Sequence, residues 1–126
     1  MPLIRHEIGE ADTDAKAVLR KLMNRSPAPT AIVTLQAEAI RLHQAAEALR
    51  IKIPGDLSLV SIRDRSAPSP AASVKLATIH LDPSPMGKLA ADVLKTWLIQ
   101  GVPLDRDRRV EIGTWIERES VGPART

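Results

Sequence analysis

Few residues in this sequence are placed to do covalent or metal chemistry. The imidazoles are His6, His43 and His80, and no two of them stand at the i, i+4 or short-loop spacing that zinc sites favour. Cys is absent, which removes thiolate ligands, Cys nucleophiles and disulfides and is compatible with a reducing compartment. No Ser lies in a Gly-x-Ser-x-Gly elbow, and there is no P-loop or other glycine-rich phosphate cradle. Asp12 and Asp14 precede an apolar-periodic stretch, where carboxylates suit a helix cap better than acid/base work, which needs burial and an apposed partner. These residues predict neither an enzyme nor a metal or cofactor site. Arg63 is different, because it follows the apolar run Leu57-Ser58-Leu59-Val60-Ser61-Ile62 and its planar fork suits a carboxylate or a phosphate. The alternative is a surface arginine paired with Asp64 or Asp56.

What positions Arg63 follows from hydrophobic periodicity. After a short apolar segment, Leu3 to Ile8, the sequence Asp12-Thr13-Asp14 predicts a helix start, with Val18, Leu19, Leu22 and Met23 at helical spacing. Ser26-Pro27-Ala28-Pro29 ends it, because proline lacks the donor and restricts the residue before it. Thr30 to Thr34 is a short β-branched run of the kind found in a strand covered on both faces. A helix from about Gln36 to Leu49 carries Ala39, Leu42, Ala46 and Leu49 on one stripe, with Ile40, His43, Gln44 and Glu47 turned elsewhere. Ile53-Pro54-Gly55-Asp56 breaks it, and Leu57 to Ile62 forms another buried strand. Strand, helix and strand at this spacing make a βαβ unit with parallel strands, so the fold class is α/β with Rossmann-like layers.

Beyond Arg63, Ser66 to Ser73 is rich in proline and small residues and predicts a loop or an edge segment. Leu76 to His80 reads as a short strand. From Asp82-Pro83-Ser84 to Gly101, the residues Met86, Leu89, Ala90, Val93, Leu94, Trp97 and Leu98 mark an amphipathic helix. A last strand around Arg109 to Glu117 places Val110, Ile112, Thr114 and Ile116 on one face. There is no internal repeat.

Length and composition allow one core and one unit, residues 1–126. Two Trp and no Phe or Tyr leave a ligand pocket few rings to stack on. The net charge of +3 is scattered, and the nearest basic run, Asp105-Arg106-Asp107-Arg108-Arg109, is interrupted by acids, so it reads as a charged surface loop rather than a nucleic-acid arm. The amino terminus has no signal-peptide pattern and no segment reaches membrane-spanning length, so the expected location is cytoplasmic, with no membrane partner.

Taken in order, Pro29-Thr30-Ala31-Ile32, Ile53-Pro54-Gly55-Asp56-Leu57-Ser58-Leu59-Val60, Leu76-Ala77-Thr78-Ile79, Met86-Gly87 and Glu117-Arg118-Glu119-Ser120-Val121 resemble the end of LacI/GalR transcription regulators. The resemblance covers nearly all of the chain after about residue 14. It implies the carboxy-terminal lobe of a periplasmic-binding-protein-like fold, incomplete here, in a regulator whose two lobes clasp a small effector and whose helix-turn-helix head reads DNA as a dimer. By the same resemblance, the head and most of the first lobe are missing. Operator DNA would then be reached only through that missing head.

Where the family places Asn-Asp and then Gly-aromatic-Asp-Asp at strand ends, this sequence has Leu35-Gln36 and Ser61-Ile62-Arg63-Asp64. Leu35, Gln36, Arg63 and Asp64 are therefore the candidate effector residues, at the carboxyl ends of parallel strands where open α/β sheets bind ligands. Leu35 cannot hydrogen-bond and Arg63 replaces an acceptor by a cation, so the expected effector is anionic rather than a neutral sugar. The resemblance also implies a homodimer seam along the Gln36 to Leu49 helix, with Ile40, Gln44, Glu47 and Ala48 as candidates; the other reading of its alanines is plain helix propensity. The 86–98 stripe reads as core packing, unless the lobe that should cover it is absent. Competing functions are a stand-alone dimerisation or partner-binding module and a fragment of a periplasmic sugar-binding protein.

Overall fold

The computed structural model describes residues 14–62, 73–101 and 109–124. Its elements run α1 (Ala15–Met23), β1 (Ala31–Leu35), α2 (Gln36–Ala48), β2 (Ser58–Ile62), β3 (Ala77–Leu81), α3 (Ser84–Gln100) and β4 (Gly113–Ile116). The strands form one sheet in the order β1-β2-β3-β4, with β1, β2 and β3 parallel and β4 antiparallel to β3. The fold is α/β with a mostly parallel open sheet, as the βαβ spacing predicts. The expected segment Leu3 to Ile8, and most of the loops at 66–73 and 105–109, fall outside the described residues.

Helix α1 begins where a cap is available, because the Asp14 side chain accepts a hydrogen bond from Lys16 N–H at 2.9 Å. Val18, Leu19 and Leu22 are buried against α2, whose Ala39, Ala45 and Ala46 are nearly inaccessible. Small side chains there let the two helices approach closely. Leu57, Leu59 and Leu76 complete this core from the sheet side. Helix α2 ends in a Schellman arrangement: Ile51 N–H reaches Ala46 O at 2.9 Å and Arg50 N–H reaches Glu47 O at 3.1 Å. Arg50 occupies the left-handed position with φ 58°, where glycine is the usual residue. The turn that follows is closed by Asp56, whose carboxylate accepts from Lys52 N–H at 2.8 Å.

Both α1 and α2 lie on one face of the sheet, and this corrects the expectation that β1 is covered on both. Ala31, Val33 and Leu35 are exposed, whereas Ile32 and Thr34 are half-buried toward the helices. The stripe on α2 is also wider than expected. His43 is 1% exposed and Ile40 packs partly against the core, because positions 39, 42, 43 and 46 together span a broad helical face. Strand β4 is shorter than expected, four residues instead of nine. Helix α3 has the predicted extent and ends at Gly101 with φ 66°, but it buries none of its residues. Met86, Leu94 and Trp97 are about half exposed and Leu98 and Ile99 more so, which leaves the apolar stripe without the core packing its pattern suggests.

The closing segment is sewn to the amino ends of β2 and β3. Ser120 is fully buried; its Oγ accepts from Ala77 N–H at 2.8 Å and donates to Leu59 O. Leu59 N–H in turn donates to Ser120 O. Arg118 donates to Leu76 O at 2.8 Å and Glu119 pairs with Lys75 at 3.2 Å. The Arg-Glu-Ser triplet is thus a clasp.

Candidate functional site

Parallel pairing brings the carboxyl ends of the strands together. Leu35, the last residue of β1, pairs in register with Ile62, the last of β2, and Ile62 pairs with Ile79 of β3. Leu35 is 50% exposed and also occupies the position before α2, where it makes no side-chain cap hydrogen bond. The first N–H groups of α2 therefore face this edge without a side-chain acceptor from Leu35. Gln36 opens α2 and is half-buried. Arg63 and Asp64 follow Ile62 directly in sequence and lie outside the described residues. The structure thus brings Leu35 and Gln36 to the carboxyl edge, beside the point from which residue 63 departs.

At the end of β3, Asp82 accepts a hydrogen bond from Ser84 N–H at 3.0 Å at the start of α3. Hydrogen bonding to Ser84, by its side chain and its backbone N–H, holds the Asp82 carboxyl below its ordinary value. Asp82 stays ionised there.

The four seam candidates divide. Gln44, Glu47 and Ala48 are exposed on α2, whereas Ile40 is half-buried and packs against the core. Glu47 also accepts from Ser73 Oγ at 2.5 Å and stands 3.8 Å from His43 Nδ1. His43, Glu47, Lys52 and Ser73 line an open cavity of about 460 Å³ that the sequence reading did not foresee. Because α2 starts at the carboxyl edge and ends at Ala48 before the amino end of β2, that cavity lies on the opposite side from Leu35. Its sequence signal was the His43 position, one turn from Ala39 on the buried stripe.

Among the described residues there is no cluster of three or more His, Cys, Asp or Glu able to hold a metal. No helix among them is long and apolar enough to cross a membrane.

The model of the periplasmic binding protein-like domain family matches residues 3–121. The chain belongs to that family. No curated protein sequence matches it. Among solved structures, the domain is similar to a LacI family transcriptional regulator from Bifidobacterium animalis subsp. lactis, with a TM-score of 0.70 and 25% identity over 88% of this chain and 40% of that one. It is similar in fold to a LacI family regulator from Arthrobacter sp. FB24 in complex with lactose, with a TM-score of 0.61 and 22% identity over 86% and 40%. A third is the transcriptional regulator CelR in complex with cellobiose, with a TM-score of 0.65 and 20% identity over 84% and 32%. The domain spans at most 40% of the length of these relatives. The resemblance carried by Ile53-Pro54-Gly55-Asp56 and Arg118-Glu119-Ser120 is correct at the level of family: the chain is a periplasmic binding protein-like domain and these neighbours are transcriptional regulators, two of them of the LacI family.

Proposed function

We propose that this chain is the ligand-sensing and dimerisation module of a LacI/GalR-type transcription regulator, the carboxy-terminal part of its effector-binding region. Effector binding at the carboxyl edge would shift the operator affinity of the intact protein by favouring one lobe arrangement over another. The observation that carries this reading is the side-by-side ending of parallel β1 and β2 at Leu35 and Ile62, in a chain matched by the family model over nearly its whole length. Solved relatives hold lactose and cellobiose. In this chain Leu35 offers no hydrogen bond and Arg63 brings a cation, which favours a carboxylate or phosphate on the effector over a neutral sugar. The start of α2, where Leu35 supplies no side-chain cap, supports the same sign of charge.

Calorimetric titration of the 126-residue chain and its Arg63→Ala variant with small carboxylates and phosphates, beside lactose and cellobiose, tests this. Anions binding to the parent and weakening at least tenfold in the variant is the expected result. Tighter binding of the neutral sugars overturns the anionic reading and leaves sensing intact; no binding by either class overturns sensing. The regulatory half is tested by the coding region upstream of Met1, where a continuous frame encoding a helix-turn-helix and a first lobe is expected. A start at Met1 without such a frame overturns it in favour of a stand-alone module.

The dimer seam is assigned to the outer side of α2, with Gln44, Glu47 and Ala48 presented and Ile40 at its inner margin. The double variant Ile40→Glu, Ala48→Lys should convert a sedimenting dimer to monomer. A variant that stays dimeric places the seam elsewhere, and a monomeric parent removes it.

A further inference from the structure

On the side of the sheet opposite the carboxyl edge, α2 and the turn after it gather three polar side chains around one opening. His43 is 1% exposed, and its Nδ1 has no hydrogen-bond partner among the described residues. Glu47, one turn further along α2, is its natural partner, yet Glu47 Oε1 is taken by Ser73 Oγ at 2.5 Å and Oε2 stands 3.8 Å from Nδ1. That separation is too long for a direct bond. A nitrogen about 2.9 Å from both atoms would see them at roughly 80°, so two N–H donors of one tetrahedral ammonium reach both with little bending.

Lys52 supplies the opposite charge. It lines the same cavity as His43, Glu47 and Ser73, its stem lies over Gly55, and among the described residues no carboxylate pairs with its ammonium. Glu47 and Lys52 therefore face one opening without neutralising each other. Ala46, Ile51, Ile53 and Val74 line the rest of it with apolar groups. Its volume of about 460 Å³ falls within the range of small-ligand sites, roughly 300–1,000 Å³.

We infer that this cavity is a ligand site separate from the carboxyl edge, and that it takes a small zwitterion with an apolar body, the chemistry of an aliphatic α-amino acid. The ammonium bridges His43 Nδ1 and Glu47 Oε2, the carboxylate meets Lys52, and the side chain lies on Ile51, Ile53 and Val74. Charge selects this class. A simple anion would meet the Glu47 carboxylate, and a simple cation the Lys52 ammonium, each with one unfavourable neighbour. A zwitterion matches both and gives the buried imidazole nitrogen the donor it lacks. The inference is independent of the effector reading, because it uses none of Leu35, Gln36 or residue 63.

The test follows ¹H–¹⁵N correlation spectra of the full chain titrated with L-leucine and with two probes that each lack one of its charges, 3-methylbutylamine and 4-methylpentanoate. L-Leucine should shift the amide signals of Glu47, Lys52, Gly55 and Val74 and leave those of Leu35 and Gln36 in place. Each truncated probe should bind about tenfold more weakly at the same signals. Glu47→Gln and Lys52→Met alter exposed side chains and should keep the dispersed spectrum. Each should weaken L-leucine by about tenfold, with Glu47→Gln abolishing the response to the amine and Lys52→Met the response to the carboxylate. Absence of any shift by L-leucine overturns the site, including the case of a dimer that closes over Glu47. Variants that bind L-leucine as tightly as the parent overturn it as well, and an amine or a carboxylate that binds as tightly as L-leucine refutes the zwitterion. Shifts confined to Leu35 and Gln36 put the ligand at the carboxyl edge, which refutes this site and leaves effector sensing standing.

Discussion

Two serines fully buried in the sheet region should respond to the same truncation in opposite ways. Ser120 Oγ accepts from Ala77 N–H at 2.8 Å and donates to Leu59 O, and both of those residues are inaccessible to solvent. Ser120→Ala deletes both bonds and leaves the Ala77 N–H without that acceptor in a site closed to water. An orphaned buried donor costs roughly 1–3 kcal/mol, and the lost bond to Leu59 adds about 0.5–1.5 kcal/mol, so the expected destabilisation is about 2–4 kcal/mol. Ser61 is equally buried, but its Oγ has no hydrogen-bond partner among the described residues. Ser61→Ala removes an unsatisfied hydroxyl and should leave stability unchanged or raise it by up to about 1 kcal/mol.

Urea unfolding followed by circular dichroism, at one fixed protein concentration, measures both. With a slope of roughly 1.5 kcal/mol/M, Ser120→Ala should lower the midpoint by about 1.3–2.7 M while Ser61→Ala leaves it in place or raises it. A loss below about 0.5 kcal/mol for Ser120→Ala, or equal losses for both variants, would refute the clasp.

Two further outcomes follow from local geometry. Arg50→Gly should stabilise the chain by about 0.5–1 kcal/mol, because glycine accepts φ 58° without the Cβ penalty that arginine carries in the left-handed region; a destabilised variant in the same urea assay counts against this. Glu119 accepts from Lys75 N–H and pairs with its ammonium, and these contacts hold its carboxyl below the ordinary 4.5. The unfolded chain then binds that proton more readily than the folded one, so the contribution is present above pH 4.5 and disappears as pH falls through the lowered folded value. Glu119→Gln should match the parent in acid and fall behind it toward neutrality, and a gap of equal size at every pH would rule the linkage out.

Much of the fold was legible because its elements announce themselves locally. The Asp14 cap, the proline stops and the β-branched run at 30–34 place α1, β1 and α2 within a residue or two. The spacing of 58–62 after α2 specifies parallel pairing. Periodicity marks an apolar face without saying what covers it, which is where the reading of β1 went astray and why the α3 stripe left two readings open, of which the exposed helix fits the one without its cover. Val33 looks like a residue of a doubly covered strand, yet α2, the described helix that packs on the sheet, and α1 behind it lie on the other side. His43 was misplaced for a related reason. Alanines at 39, 45 and 46 bury a broad arc of α2, so a polar residue inside that arc is buried with it. Of the candidate site, Leu35 and Gln36 were named through the family pattern of strand ends, whereas the place of Trp115 beside Ile79 was not legible because antiparallel pairing of β4 with β3 is not written in either strand alone.

Exposure on α3 and on the outer sheet face is best understood together. Helix α3 carries five exposed large apolar residues, and the sheet adds Val33, Leu35 and Trp115. Water-facing apolar side chains in isolation are ordinary, but contiguous rows of them on two elements mark surfaces that other structure covers. The domain spans at most 40% of its solved relatives, so most of the structure those relatives possess has no counterpart in these residues. The clasp at Ser120 makes this arrangement workable: it ties the closing segment to β2 and β3 through buried hydrogen bonds that need nothing from α3. The α1–α2 side of the sheet can therefore hold its order while the opposite face and α3 stay open for a ligand or a covering element. If α3 were instead an integral support of the sheet, trimming Trp97 and Leu94 to alanine would lower the stability read from urea unfolding as core truncations do, by about 2–5 kcal/mol for each residue; on the present structure the pair should cost less than about 1 kcal/mol.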